Sequence, residues 1–358
     1  MLRRDFLKST SAVAAAGLAS GTKVVGAETP PAAGAPLGAP TVIARPKHEF
    51  VLTTPSPLEL PGVGETARRI IDRIAAASNG AMRLVIDERP ESPVELIATG
   101  QADFTFANEV SNRGHDPAFT FFGGMPGAAG LMPTDHASWL AGGGQVLWDE
   151  LGASFGMKPL LVAHSGPQPG LWTRQPLGGA NPLVGRAVLT RGVGNDAVTA
   201  RGGRLVDTPA AAIEAALAHG TLDIVEWAGP FAALALGLDT HARHYCRGGI
   251  HPSGFALTLG IRRGLWDGLG AADRAIIEGC AALEWQATCA ETCRNDARAL
   301  AILSGARGVT VYARPAHLDR LLAEPIADRI AVIARTSPLA ARIGVSHGRA
   351  ARIAPLLA

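Results

Sequence analysis

A carboxylate and an indole, Glu226 and Trp227, stand side by side at the end of a short apolar run. The run from Leu222 to Val225 is too short and too apolar for anything but a buried strand, and the Ala-Gly-Pro sequence at 228–230 stops it. Ligands of open α/β sheets bind beyond the carboxyl ends of the strands, so the pair is predicted to face a ligand. An equally supported interpretation makes Glu226 an exposed or ion-paired strand-end residue and Trp227 a cover of the core.

The segment before this strand has the start and stop signals of a helix. Thr208 suits the N-cap, Pro209 suits the first helical position, and Gly220 suits the left-handed residue that follows the last turn. The same order of helix, Gly, two residues, Asp and strand occurs in 92–108 and in 208–227. Its use once in each half of the chain predicts two lobes of similar α/β build.

Two further patterns resemble cofactor or metal sites without meeting their requirements. Gly192 to Ala197 resembles the glycine turn of a dinucleotide fold, but the Gly-Gly pair at 202–203 shortens the next helix and Asp207 comes too early for the ribose-binding acid. One loop is rich in metal-ligating side chains at a spacing that matches no common zinc pattern; these are His241, His244, Cys246 and His251. The sequence contains no nucleophile elbow, zinc-protease helix or phosphate loop, so no catalytic set of residues is predicted.

The N-terminal residues have the composition of an export signal. Arg3 and Arg4 precede a modest apolar run, which predicts a twin-arginine signal peptide over residues 1–27. Residues 28–45, rich in Pro, Ala and Gly, are predicted to be a flexible lead-in. The formal net charge of +2 comes from the signal, so the remaining chain has no positive excess with which to bind nucleic acid. A soluble protein of the periplasm is therefore expected.

The size of the remaining chain and its few cysteines set bounds on the architecture. About 310 residues exceed what one hydrophobic core usually serves, so two lobes are expected. The four cysteines, Cys246, Cys280, Cys289 and Cys293, are too few for a disulfide scaffold. Helical spacing makes a bond between the last two poor in geometry, whereas Cys246 or Cys280 is left able to find a partner after export. The favoured interpretation is that the cysteines are small core residues.

Four stretches together resemble the periplasmic substrate-binding subunits of TRAP transporters. They are AFTFF at 118–122, AGGGQVLWDEL at 141–151, FGMKPLLVAHSGPQPGLW at 155–172 and IEAALAHGTLDIVEWAGP at 213–230. The likeness is to the branch associated with 2-oxo acids and related carboxylates, and it covers nearly the whole mature chain. It implies an α/β fold of the two-lobed periplasmic binding protein kind (type II-like), with mixed sheets, crossing hinge strands and a long linking helix, which closes on its ligand.

The resemblance also implies where the lobes and the site lie. One lobe would comprise 46–165 plus 254–285, and the other 166–253 plus 286–358 with the C-terminal helices. The family's ligand and an accompanying cation are held by residues matching Gln168, Glu226 and Trp227, with the indole as an apolar wall and the carboxylate as a metal ligand or hydroxyl acceptor. The predicted ligand-binding residues are Gln168, Arg191, Glu226, Trp227, Trp172, Asn108 and His251.

The sequence departs from the family pattern at two positions of that site. Leu189 stands where the family has an arginine that grips the substrate carboxylate, and Pro252 stands where the family has a glutamate. Arg191 lies two residues further along the same strand face, so it is predicted to serve as a displaced carboxylate clamp. The resemblance allows a bound cation near Glu226 and Gln168, whereas the lost glutamate supports the opposite hypothesis that no tight cation site survives.

The function predicted from the sequence is binding without chemistry. An exported solute-binding protein would capture a small organic acid, a 2-oxo or hydroxy carboxylate, and deliver it to the membrane permease subunits of a TRAP transporter. Members of this branch can dimerise through the C-terminal helix, so a homodimer is allowed. Two alternatives stay open: an exported, twin-arginine-dependent cofactor enzyme, and a binding or sensor module with a ligand that is not a carboxylate.

Overall fold

The structure, a computed structural model, describes residues 48–166 and 170–354. The predicted signal peptide, the lead-in and Gln168 lie outside the described residues. The strands are β1 His48–Thr54, β2 Met82–Glu88, β3 Phe104–Ala107, β4 Met157–His164, β5 Gly170–Thr173, β6 Ala187–Leu189, β7 Arg204–Leu205, β8 Ile224–Trp227, β9 His244–Arg247, β10 Ala256–Arg262 and β11 Thr310–Ala313.

These strands form two sheets. The first has five strands in the order β2-β1-β3-β10-β4, with β1 parallel to β2 and β3 and with β10 antiparallel to both of its neighbours. The second has six in the order β11-β9-β5-β8-β6-β7, with β5 antiparallel to β8 and β9. Both sheets are mixed, which confirms the predicted fold class. The predicted limits of the two lobes stay a prediction.

The chain passes from the first sheet to the second between β4 and β5, returns between β9 and β10, and leaves again through one long helix. The α-helices of the described chain are α1 Val63–Ala77, α2 Pro93–Ala98, α3 Thr120–Gly123, α4 Pro133–Trp139, α5 Gln145–Ala153, α6 Gly192–Ala200, α7 Ile213–His219, α8 Pro230–Leu236, α9 Arg263–Gly268, α10 Ala271–Ser304, α11 Ala316–Ala334 and α12 Pro338–Ile353.

Helix α10, 34 residues long, is the long helix that the sequence predicts. It is held to α1 through Glu284, whose side chain has no exposed surface and accepts hydrogen bonds from the guanidinium groups of Arg69 and Arg73. Two guanidinium groups compensate this buried carboxylate, which would otherwise be costly to bury. Helix α10 is therefore fixed to the first sheet's side of the molecule.

Within residues 48–166 and 170–354, no helix combines the length and apolar character needed to cross a membrane.

The two helix-Gly-x-x-Asp-strand units use the same hydrogen bonds. In the first unit, Val51 N donates to Asp103 Oδ2 at 3.0 Å, and Asp103 N donates to the Val51 carbonyl. In the second, Ala187 N donates to Asp223 Oδ2 at 2.8 Å, and Asp223 N donates to the Ala187 carbonyl. The glycine of each unit adopts the left-handed conformation. Each aspartate, directly before its own strand, thus joins that strand to the neighbouring one.

The second unit differs from its prediction at the start of its helix and at the start of its strand. Pro209 has an extended backbone (ψ 147°), so Thr208 is not an N-cap; a 3-10 turn over Ala210–Ala212 precedes α7. The strand begins at Ile224 rather than Leu222, and it ends with Glu226 and Trp227, as predicted. All four cysteines are free. Cys246 and Cys280 are buried, in agreement with their interpretation as core residues, whereas Cys289 is only partly buried and Cys293 is exposed, so the interpretation is wrong for Cys293.

Candidate functional site

A cavity of about 560 Å³ lies where strand ends of both sheets meet α10. Its walls include the loop after β1, the ends of β4 and β8, the start of α8 and one face of α10. This volume is in the range typical of small-molecule sites. Four of the predicted ligand-binding residues line the cavity, namely Asn108, Arg191, Glu226 and Trp227.

Glu226 lines this cavity, yet its side chain is only 1% exposed and its carboxylate is surrounded by donors. One oxygen accepts the backbone N–H groups of Ile250 and His251, each at 2.6 Å. The other accepts the hydroxyl of Thr190 at 2.5 Å and lies 2.8 Å from Nδ1 of His251. A carboxylate has about four lone-pair positions, so all of them are in use. In this arrangement Glu226 has no free oxygen for a cation or a ligand hydroxyl.

The donors also decide the charge of Glu226. Burial alone raises the pKa of this carboxyl, but the charge and hydrogen bond of His251, with the bonds from Thr190 and the backbone, outweigh it and lower the pKa below its ordinary value. Glu226 is therefore an ionised, saturated carboxylate that ties β8 to the loop before β10 and to the end of β6.

Among the described residues, no three His, Cys, Asp or Glu side chains are grouped to hold a metal ion.

Arg191 carries the positive charge of the cavity. It follows β6 with an extended backbone (φ −141°, ψ 171°) and directly precedes α6, and it is exposed. Among the described lining residues it is the only lysine or arginine. Leu189, on the same strand, is 2% exposed and belongs to the core. The guanidinium is thus the group of this wall that faces an incoming ligand.

Asn108 lines the cavity but uses its amide on the backbone. Its Nδ2 donates to the carbonyls of Gly123, at 2.9 Å, and Ala256, at 2.7 Å, and its Oδ1 accepts the N–H of Val110 at 2.7 Å. Both N–H groups of the amide are therefore occupied. Asn108 fixes the turn after β3 against the start of β10, and it has little capacity left for a ligand.

Trp172 and His251, two of the predicted ligand-binding residues, are not among the described residues that line the cavity. In β5, Trp172 lies opposite Tyr245 of β9 on the sheet face opposite to Glu226, and the two rings contact each other in a tilted arrangement with centroids 4.7 Å apart. Trp172 is fully buried there. His251 is also fully buried and lies behind Glu226. The indole is a core side chain and the imidazole orients Glu226.

The fold is shared with known proteins. No family model matches the chain. A curated relative, the monocarboxylate 2-oxoacid-binding periplasmic protein of Nostoc sp. (strain PCC 7120), is 26% identical over 232 residues, which are 63% of this chain and 62% of the relative. The match thus spans less than two thirds of the relative's length.

Solved structures match a larger share of the chain than the curated relative does. The TRAP periplasmic solute-binding protein of Colwellia psychrerythraea, with bound calcium and pyruvate, has a TM-score of 0.81 at 18% identity over 87% of this chain and 96% of its own. The chain has the fold of TRAP solute-binding proteins. A TRAP solute-binding protein of Bordetella bronchiseptica RB50, with calcium and picolinate, has a TM-score of 0.79 at 21% identity over 86% of this chain and 93% of its own. The resemblance seen in the motifs is thereby confirmed.

Two polar residues of the cavity were not predicted from the sequence. His164 ends β4, and its Nδ1 accepts the N–H of Gly166 at 3.1 Å; burial lowers its pKa to about 3, which keeps the ring neutral. Asp296 lies on α10 with three polar neighbours of the same wall, Thr288, Thr292 and Asn295. The steps from Thr288 to Thr292, and from Thr292 to Asn295 and Asp296, are three or four residues, which puts them on one helix face. This polar stripe is the sequence signal that could have pointed to the cavity wall, but a polar stripe on a long helix normally indicates a face exposed to solvent.

Proposed function

We propose that the chain is a periplasmic solute-binding protein that captures a small organic acid, a 2-oxo or hydroxy carboxylate, and hands it to the membrane permease of a TRAP transporter. The observation that supports this most directly is the cavity with one guanidinium among its described lining residues. The named ligand class of the Nostoc relative and the pyruvate and picolinate of the neighbours support the same ligand class. The proposed function is binding rather than catalysis, since these similar proteins are named as binding proteins.

Arg191 is the proposed anchor of the ligand's carboxylate. A guanidinium presents two parallel N–H groups to a carboxylate, and such charge-assisted pairs are stronger than neutral hydrogen bonds. The guanidinium makes no hydrogen bond or ion pair with any described residue, so it is available to a ligand. Its position two residues after the buried Leu189 fits the role of a displaced clamp.

Calorimetric titration of the mature protein with pyruvate and lactate tests the proposal. Arg191→Ala should weaken binding about 10- to 100-fold, because each hydrogen bond to a charged group contributes about 1.5–3 kcal/mol. Arg191→Lys should recover part of the loss. Arg298→Ala, an exposed position on α10 outside the cavity lining, is the matched control. Unchanged affinity in Arg191→Ala would exclude the clamp, and no binding of any carboxylate by the wild type would exclude the function.

The second part of the proposal concerns a cation bound together with the ligand. The Colwellia and Bordetella neighbours hold calcium, and that of Pseudoalteromonas atlantica T6c holds sodium, beside their ligands. A cation beside Glu226 and Gln168 would require the carboxylate to release one of its present donors, so we expect weak cation dependence. Titrations with pyruvate in EDTA and in Ca²⁺ measure it, and complete loss of binding in EDTA would show a tight site. A homodimer stays a prediction for this chain.

A further inference from the structure

Asp296 is a buried carboxylate with one unsatisfied oxygen in the wall of the cavity. The residue is 4% exposed and lines the cavity from α10. Its Oδ1 accepts the N–H of Phe231 at 2.9 Å, in the first turn of α8. Its Oδ2 is buried and makes no hydrogen bond with the described residues. Buried polar atoms in proteins almost always have a partner, so this oxygen lacks one that a bound ligand could supply.

Two glycines allow the backbone to approach this carboxylate. A Cβ atom at Gly229 would collide with both oxygens of Asp296. Gly229 has an ordinary negative φ of −51°, so its backbone alone does not require glycine. Gly166, at the end of β4, also lies beside Asp296 and Thr292. The carboxylate is therefore held tightly between α8 and α10, with a fixed direction for its free oxygen.

The electrostatics of the cavity set the kind of group that would satisfy this oxygen. Burial raises the pKa of Asp296 to about 7, so at pH 8 the carboxylate is mostly ionised and accepts hydrogen bonds only. The other described carboxylates of the lining have donors: Glu226 is saturated, and Glu291 pairs with Arg69 at 2.8 Å. Glu65 is exposed and accepts the N–H of Gly62. Asp296 Oδ2 is left as an acceptor, in the same cavity as the guanidinium of Arg191.

Resting on the proposed function, we propose that Asp296 accepts a hydrogen bond from a hydroxyl or ammonium group of the ligand while Arg191 holds the ligand's carboxylate. The two side chains would together select a carboxylic acid that carries a donor, a hydroxy or amino acid, over the same acid with an oxo group or no substituent. A site built to pair with a donor discriminates strongly against an analogue that lacks it, because its own buried acceptor is then left unpaired.

Four acids with one carbon skeleton test this selection at pH 8: propionate, pyruvate, lactate and alanine. The wild type should bind lactate or alanine at least about ten-fold more tightly than propionate and pyruvate. Lactate and alanine separate the hydroxyl from the ammonium donor. Asp296→Asn keeps an oxygen for the Phe231 N–H and replaces Oδ2 by a donor. It should remove the preference and leave propionate affinity within about three-fold.

The controls separate failure of this inference from failure of the proposed function. Glu278→Gln, an exposed carboxylate elsewhere on α10, should bind all four acids like the wild type. Thermal unfolding of Asp296→Asn checks its fold, and the wild-type ranking of the acids is a second readout that needs no variant. Equal affinity of the wild type for lactate, alanine and propionate, or an Asp296→Asn protein with an unchanged ranking, overturns the inference. Failure of the wild type to bind any of them, or any other carboxylate, removes the proposed function and the inference together.

Discussion

Replacing Glu226 by glutamine should destabilise the protein through the loss of a buried charge. The carboxylate accepts from two backbone N–H groups, a threonine hydroxyl and a histidine ring, all within 2.8 Å. An amide keeps one oxygen for the two backbone donors and turns an NH₂ group toward Thr190 and His251. The threonine hydroxyl can accept from this group, but the imidazole loses its charged partner.

The size of the effect follows from those contacts. Hydrogen bonds to a charged group contribute about 1.5–3 kcal/mol each. Because the amide retains the two backbone bonds, Glu226→Gln should cost about 3 kcal/mol. Thr190→Val, which removes one donor and leaves the hydrogen bond to His251, should cost about 2 kcal/mol.

Urea unfolding at pH 7.5 measures both differences. The midpoint should fall while the slope stays constant, since the surface exposed on unfolding does not change. Glu278→Gln, on the exposed face of α10, should stay within about 0.5 kcal/mol of the wild type. If Glu226→Gln also stays within that margin, the carboxylate is not the charged tie between β8, β6 and the 250–251 loop that its contacts indicate.

Three further outcomes follow from buried groups. Burial lowers the pKa of His136 to about 4 and of His164 and His347 to about 3. Because histidine in the unfolded chain titrates near 6.5, the free energy of unfolding should fall as the pH drops below about 6.5. Urea unfolding at pH 7 and pH 5 should show a smaller loss of stability for His164→Gln than for the wild type. The raised pKa of Asp296 has the opposite sign, so Asp296→Asn should be more stable than the wild type at pH 8, by up to about 4 kcal/mol, and lose this advantage near pH 4. Gly229→Ala should lower the melting temperature and weaken lactate binding, because its methyl group displaces the Asp296 carboxylate; a Gly229→Ala protein equal to the wild type in both would contradict that packing.

Most of the fold could be predicted because its signals are local. The glycine of each repeated unit marks the helix end, and the aspartate three residues later marks the start of a strand. The structure adds that Asp103 and Asp223 bond the neighbouring strands at Val51 and Ala187. Such pairings join residues far apart in the sequence, so spacing predicts the unit but not which strand it bonds.

The site was less predictable because side-chain direction depends on strand pairing. Glu226 pairs with Leu171, and Trp172 pairs with Val225 and Tyr245, which puts the indole on the opposite face of the sheet. A shift of one residue along the strand thus decides whether a side chain faces the cavity or the core. The sequence shows that Trp172 follows a strand end, but only the register shows which way it faces.

Two carboxylates of the cavity show why a residue's type is a weak guide to its role. Glu226 stands at a strand end, where ligands are expected, but the fold supplies every one of its donors, so it holds the wall that positions Arg191 next to Thr190. Asp296 stands in mid-helix, where a polar side chain normally faces water, but the approach of Gly229 buries it with one oxygen unpaired. A carboxylate whose oxygens are all bonded by donors of the fold has a structural role. A carboxylate with an oxygen that lacks such a donor can accept a hydrogen bond from a ligand. The number of donors around each oxygen, rather than the position of the residue in a motif, therefore separates the two roles.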